Sequence, residues 1–133
     1  MSNFFQEARI TLVIRGAELD TDLLTQSMKI NPTCIYKYNA KEGGEELDAW
    51  YFSTKYERLE KLDTLMQEFL DKIKHISSTL ETVPDISCEF DLHVHSELAQ
   101  IYFELPQSVT WQLLQFGFPF GISVLSWGGV EDT

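Results

Sequence analysis

The stretch Ile86-Ser87-Cys88-Glu89-Phe90-Asp91-Leu92-His93-Val94-His95 decides the fold. Ile86, Cys88, Phe90, Leu92 and Val94 alternate without a break against Ser87, Glu89, Asp91, His93 and His95. A period of two is the signature of a strand with one buried and one wet face. Such a strand needs neighbours along its edges and a cover over its apolar side. Ala8 to Arg15 supplies a first strand, with Ile10, Leu12 and Ile14 on one side and Arg9, Thr11, Val13 and Arg15 on the other. The cover is predicted between Thr54 and Ile76, where Leu59, Leu62, Leu65, Met66, Phe69, Leu70, Ile73 and Ile76 recur at steps of three and four. Thr54 with Glu57 fits a capping box at its start, and Glu57 with Lys61 and Glu68 with Lys72 are spaced as i,i+4 ion pairs on its outer side.

The remaining elements fall around these. Asp20 caps a short helix through Leu23, Leu24 and Met28, and Asn31-Pro32 stops it because a residue before proline is pushed out of the helical region. Cys34 to Tyr38 is an edge strand, Lys41 to Asp48 an exposed polar loop, and Trp50-Tyr51-Phe52 a further strand. Ser96 to Gln100 has the length of a hairpin turn into Ile101 to Glu104, which predicts an antiparallel pair there. Pro106 opens a helix with Val109, Leu113, Leu114 and Phe116 as its buried stripe and Gly117 at its end, and Phe120 to Trp127 is the last strand. The expectation is an α+β domain: a single mixed, largely antiparallel sheet with helices packed mainly on one face. One domain spans residues 1–133, with its core in 8–127 and a frayed tail at 128–133.

Composition bounds the function. With 133 residues, 44% of them hydrophobic, the chain buries a core without metal or disulfide help. Ten Lys plus Arg against 21 Asp plus Glu leave a formal charge of -11, which repels nucleic acid. The charge is uneven: 13 acids and 10 bases precede or include Lys74, whereas eight acids and no Lys or Arg follow it. Two cysteines, Cys34 and Cys88, make neither a disulfide framework nor a zinc ribbon. The absence of a long apolar stretch and of a basic, then apolar, leader predicts a cytoplasmic protein off the membrane, and a monomer or small homo-oligomer is expected of a small domain of this net charge.

With the elements placed, the chain resembles the bacterial domain-of-unknown-function family 4279 over roughly Ala8 to Trp127. The resemblance rests on the strand Arg9-Ile10-Thr11-Leu12-Val13-Ile14-Arg15-Gly16, the acidic helix start Glu18-Leu19-Asp20, the Ile30-Asn31-Pro32 stop, Trp50-Tyr51-Phe52-Ser53, and a closing strand after Phe116-Gly117. It departs at Leu105-Pro106, where the family more often has a capping serine. The resemblance brings no catalytic residues. It does imply a likeness, in size and acidic single-domain form, to the immunity proteins that accompany bacterial toxins.

Catalytic chemistry has little foothold. There is no Gly-x-Ser-x-Gly elbow, Cys88 falls on the buried side of its strand, and Gly43-Gly44 lacks the Lys-Ser/Thr of a phosphate loop. No catalytic residue and no cofactor is expected. The leading expectation is a non-catalytic acidic binding protein, an immunity-type inhibitor that occludes a basic toxin or effector. Its charged face is Glu89, Asp91, Glu97 and Glu104, with Glu42, Glu45, Glu46 and Asp48 of the loop as a second patch. The alternative is a metal-binding domain or metal-dependent hydrolase, because His93 and His95 project from one strand face with Glu89 and Asp91 in the same row. For the binding reading, either Trp111 or Trp127 is a candidate interface anchor at a rim of the acidic surface.

Overall fold

The computed structural model describes residues 5–44, 46–59, 61–97 and 102–126. The element order is β1 (Phe5–Gly16), α1 (Thr21–Met28), β2 (Cys34–Tyr36), β3 (Asp48–Leu59), α2 (Asp63–Ile73), α3 (Ser77–Glu81), β4 (Ile86–Ser96), α4 (Gln107–Phe116) and β5 (Phe120–Ser126). One five-stranded sheet runs β2-β3-β1-β4-β5. It is antiparallel except for the β4–β5 pair. The fold is therefore the α+β arrangement with one mixed sheet.

β1 is central because both its edges are taken, by β3 and by β4. Its even-numbered residues Ala8, Ile10, Leu12 and Ile14 are fully buried. They share a layer with Trp50 and Phe52 of β3 and Phe90, Leu92 and Val94 of β4. Leu24 and Met28 of α1, Leu65, Met66, Phe69, Leu70 and Ile73 of α2, Leu80 of α3 and Val109 and Leu113 of α4 close over that layer in one core. The Trp50 indole N–H donates to Thr25 Oγ1 at 3.1 Å and, at the rim, the His75 ring N–H donates to the Met28 carbonyl at 3.0 Å, whereas Thr54 Oγ1 is buried without a hydrogen-bond partner among the described residues. The Tyr56 hydroxyl donates to Glu68, tying β3 to α2, and together with Lys72 it holds the Glu68 carboxyl below its ordinary value.

Two expectations are corrected. Thr54 and Glu57 do not cap a helix. β3 continues through them to Leu59, and α2 starts at Asp63 with no side-chain cap. The reason is pairing: β1 offers backbone partners from Phe5 to Gly16, and β3 matches them from Leu59 back to Asp48. The inward alternation of Trp50, Phe52, Thr54 and Tyr56 wins over a local capping pattern. Glu57 and Lys61 are thus no helical pair, whereas Glu68 and Lys72 are, at 3.2 Å. The helix also ends earlier, at Ile73, and Ile76 is buried at the start of α3 instead.

The second correction concerns the hairpin. Tyr102, Phe103 and Glu104 form no strand, and Ile101 lies outside the described residues. The edge of β4 is taken by β5, parallel, from Phe90↔Phe120 to Ser96↔Ser126. A parallel neighbour needs a crossover, and α4 provides it. Proline and glycine frame that helix as expected, with Pro106 before its first residue and Gly117 in the left-handed conformation at φ 71°. Asp20 caps α1 by accepting the Leu23 N–H at 3.0 Å. Trp127 and the tail 128–133 lie outside the described residues.

Candidate functional site

The face of the sheet away from the helices is an ordered grid of polar side chains. Register sets its rows: Tyr51, Val13 and Glu89; then Ser53, Thr11, Asp91 and Gly121; then Lys55, Arg9, His93 and Ser123; then Glu57, Glu7, His95 and Leu125. Glu89 and Asp91 lie on this face as their alternation requires, but they are not an isolated acidic patch. Arg15 of β1 ion-pairs with Glu89. Lys55 lies 3.9 Å from Glu7 and 3.8 Å from Glu57. Arg15 of the neighbouring strand β1 thus supplies a base that the second half of the sequence lacks, whereas Lys55 of β3 pairs with acids of the first half.

Asp91 is the strained member. Its carboxyl is raised above its ordinary value, chiefly by loss of solvent and then by the Glu89 charge, with Arg15 pulling it back. Gly121 makes room for it, since a Cβ there would stand 2.9 Å from Asp91 Oδ1. A carboxyl raised on folding binds its proton more tightly in the folded state, so its ionisation removes stability as pH rises through the carboxylate range. Asp91→Asn is therefore expected to be at least as stable as the parent at pH 7. The gap should close as pH falls below the ordinary value of 3.8. Urea midpoints across pH 3–7 check this; a variant that is less stable at neutral pH would assign Asp91 a favourable partner instead.

The other acidic candidates separate. Glu97 is exposed just beyond β4, eight residues from Glu89, a distance of about 26 Å along an extended chain. Glu104 accepts from the Tyr102 hydroxyl and borders a different hollow, with Phe5, Leu62 and Pro106. The four residues therefore do not form one cluster. In the loop, Glu42 and Glu46 are exposed and Glu45 lies outside the described residues. Asp48 is withdrawn from the surface: it is 7% exposed, and its two carboxylate oxygens accept the Leu19 N–H at 2.9 Å and the Tyr38 N–H at 2.8 Å. It is an internal tie and not a docking residue, because β3 begins there and its neighbours need an acceptor.

His93 Nδ1 lies 3.4 Å from Ser123 Oγ, and His95 Nε2 is buried without a hydrogen-bond partner among the described residues. Among those residues no group of three His, Cys, Asp or Glu is placed to hold a metal ion. Cys34 is an exposed thiol. Burial pushes the Cys88 thiol up to about 11, which keeps it protonated and inert at neutral pH. Trp111 is 62% exposed on α4.

What the sequence reading missed is a hollow of about 310 Å³ between the β1–α1 turn, α1 and the α3–β4 turn. Leu19, Leu23, Val83, Pro84 and Ile86 give it an apolar floor, while Glu18, Asp20 and Asp85 supply carboxylates; no Lys, Arg or His lines it among the described residues. Leu23 is 55% exposed there. Two of the acids, Glu18 and Asp85, hold left-handed backbone at φ 51° and 56°, a conformation uncommon outside glycine and sustained by its surroundings. The surroundings are visible. Asp48 takes the Leu19 N–H, and the Lys37 ammonium donates to the Leu19 carbonyl at 2.7 Å, so both backbone groups of the turn are fixed. Gly16 lets the two turns approach, since a Cβ on it would meet the Asp85 carbonyl and Ile86 at 3.3 Å. Glu18 and Asp20 are legible as an acidic helix start, but Asp85 is 65 residues beyond Asp20 and joins them only through the β1–β4 pairing of Gly16 with Ile86.

Fold and surfaces together define a small α+β domain on one five-stranded sheet, with an open polar face and an acid-lined hollow at one end. The chain belongs to the family described as Domain of unknown function (DUF4279), whose model matches residues 6–127. No curated protein and no solved structure matches it. Among the described residues no helix is long and apolar enough to cross a membrane.

Proposed function

We propose that the chain is a non-catalytic binding protein for a basic protein partner, acting in the cytoplasm as an immunity-type inhibitor that covers a toxin's or effector's functional cleft. The observation that carries this reading is the acid-lined hollow. Its chemistry suits a Lys or Arg side chain, whose apolar stem lies on Leu23 and Pro84 while its charged head meets Glu18, Asp20 and Asp85. Glu89 and Asp91, on the opposite and open face of the sheet, are a second and separate contact surface in this reading. The net charge of -11 steers a positively charged partner toward the surface before contact.

Capture from the native host, with the intact chain as bait, is expected to yield a partner of positive calculated charge whose retention falls steeply with salt. A bait carrying Glu18→Lys and Asp85→Asn is expected to lose it. Asp20 is left alone in this variant because it caps α1. A partner without excess positive charge, or one retained equally by the variant bait, would sink the proposal.

A further inference from the structure

We infer that β5 is the seam of a two-fold dimer, in which the outer edge of this strand pairs antiparallel with the same strand of a second copy. Among the described residues β5 has one strand neighbour, β4, and no strand pairs with its other edge. The opposite edge of the sheet is defended: β2 is three residues long, with Pro32 two residues before it and Lys37 directly after it. β5 is seven residues long and carries no charge and no proline. Its exposed side chains are the apolar Ile122 (53%), Val124 (46%) and Leu125 (41%) together with the uncharged Ser123 and Ser126. Ile122 and Val124 share the core layer with Leu92 and Val94 by register, so the apolar layer runs on to the rim of the molecule and stops uncovered among the described residues.

Charge selects the occupant. From Leu105 to Val130 the sequence holds no Asp, Glu, Lys, Arg or His, in a chain whose formal charge is -11. A basic partner gains no ion pair there. Two copies, by contrast, repel each other elsewhere but meet at this strip without placing carboxylate against carboxylate. Antiparallel pairing about an axis through Ser123, the middle residue of β5, sets Ile122 of one copy beside Val124 of the other, and the contact closes on itself as a two-fold interface. It extends two five-stranded sheets into one. The acid-lined hollow takes no part, so this inference stands apart from the proposed function.

Light scattering or sedimentation of the intact protein is expected to give twice the chain mass of 15.4 kDa at tens of micromolar. Val124→Lys is expected to give a monomer with an unchanged far-UV spectrum, while Leu23→Lys, at an exposed apolar residue elsewhere, leaves the dimer intact. Hydrogen exchange on the parent protein supplies a reading that does not depend on any variant folding: alternate amides of residues 120–126 should slow as concentration rises through the dimerisation range. A parent that is monomeric at hundreds of micromolar, an open-ended series of oligomers, a dimeric Val124→Lys, or β5 amides indifferent to concentration would each overturn the inference.

Discussion

Phe90→Ala is expected to cost about 3–5 kcal/mol of folding free energy, the range for removing a large buried aromatic side chain. Phe90 is fully buried. Its ring centre lies 5.8 Å from Phe69 on α2, 5.4 Å from Phe116 on α4 and 5.3 Å from Phe118 in the turn before β5. One side chain thus joins the sheet to two helices and to the crossover that delivers β5. Deleting it leaves a cavity walled by three rings attached to different elements, and they cannot all collapse into it. A small domain has about 5–15 kcal/mol in total, so the variant should unfold at far lower urea or not accumulate folded. Ile35→Ala, at a side chain 41% exposed on the edge strand β2, should stay within about 0.5 kcal/mol of the parent. Urea midpoints of the two variants measure the contrast.

Asp48→Ala is expected to cost about 2–4 kcal/mol, by a different route. The carboxylate is buried and accepts two backbone N–H groups, from Leu19 and Tyr38, with Lys37 3.8 Å away. Without it two donors lose their acceptor, at about 1–3 kcal/mol for each one left buried and unpaired. Asp48→Asn is expected to fall between parent and Ala. The amide keeps one acceptor oxygen and turns an N–H₂ toward the other donor. Because the Leu19 N–H is half of what fixes the turn carrying Glu18, faster exchange at Leu19 and Tyr38 is expected, together with weaker partner binding. Urea midpoints and amide exchange test this, and an Asp48→Ala protein with parent stability would show the tie to be dispensable.

The parts of this fold that are legible in sequence are those carried by period. The alternation over Ile86–Val94 and over Ile10–Ile14 places both strands and their buried faces, and the spacing from Leu62 to Ile73 places the covering helix. Where local signals met a long-range one, the long-range one won. Thr54-x-x-Glu57 looks like a helix start, yet β1 is long enough to hold β3 as strand to Leu59. A short turn length suggested a hairpin after Ser96, yet the edge of β4 goes to β5 from across a helix. The same limit governs charge. Glu89 and Asp91 have no base in their own half of the sequence, but Arg15 is brought against Glu89 from 74 residues away. Asp85 enters the hollow by the same kind of juxtaposition, so the acid-lined site is a product of pairing and not of any one segment.

The most direct measurement is the association rate of the proposed basic partner, captured with the intact chain and purified, with the parent and with the Glu18→Lys, Asp85→Asn variant, at low and at high salt. Electrostatic steering is worth about 10- to 1,000-fold in rate. The account predicts at least a tenfold slower association for the variant at low salt, with the two rates converging as salt screens the field. Equal rates at low salt, with the variant folded as judged by its urea midpoint, would contradict it.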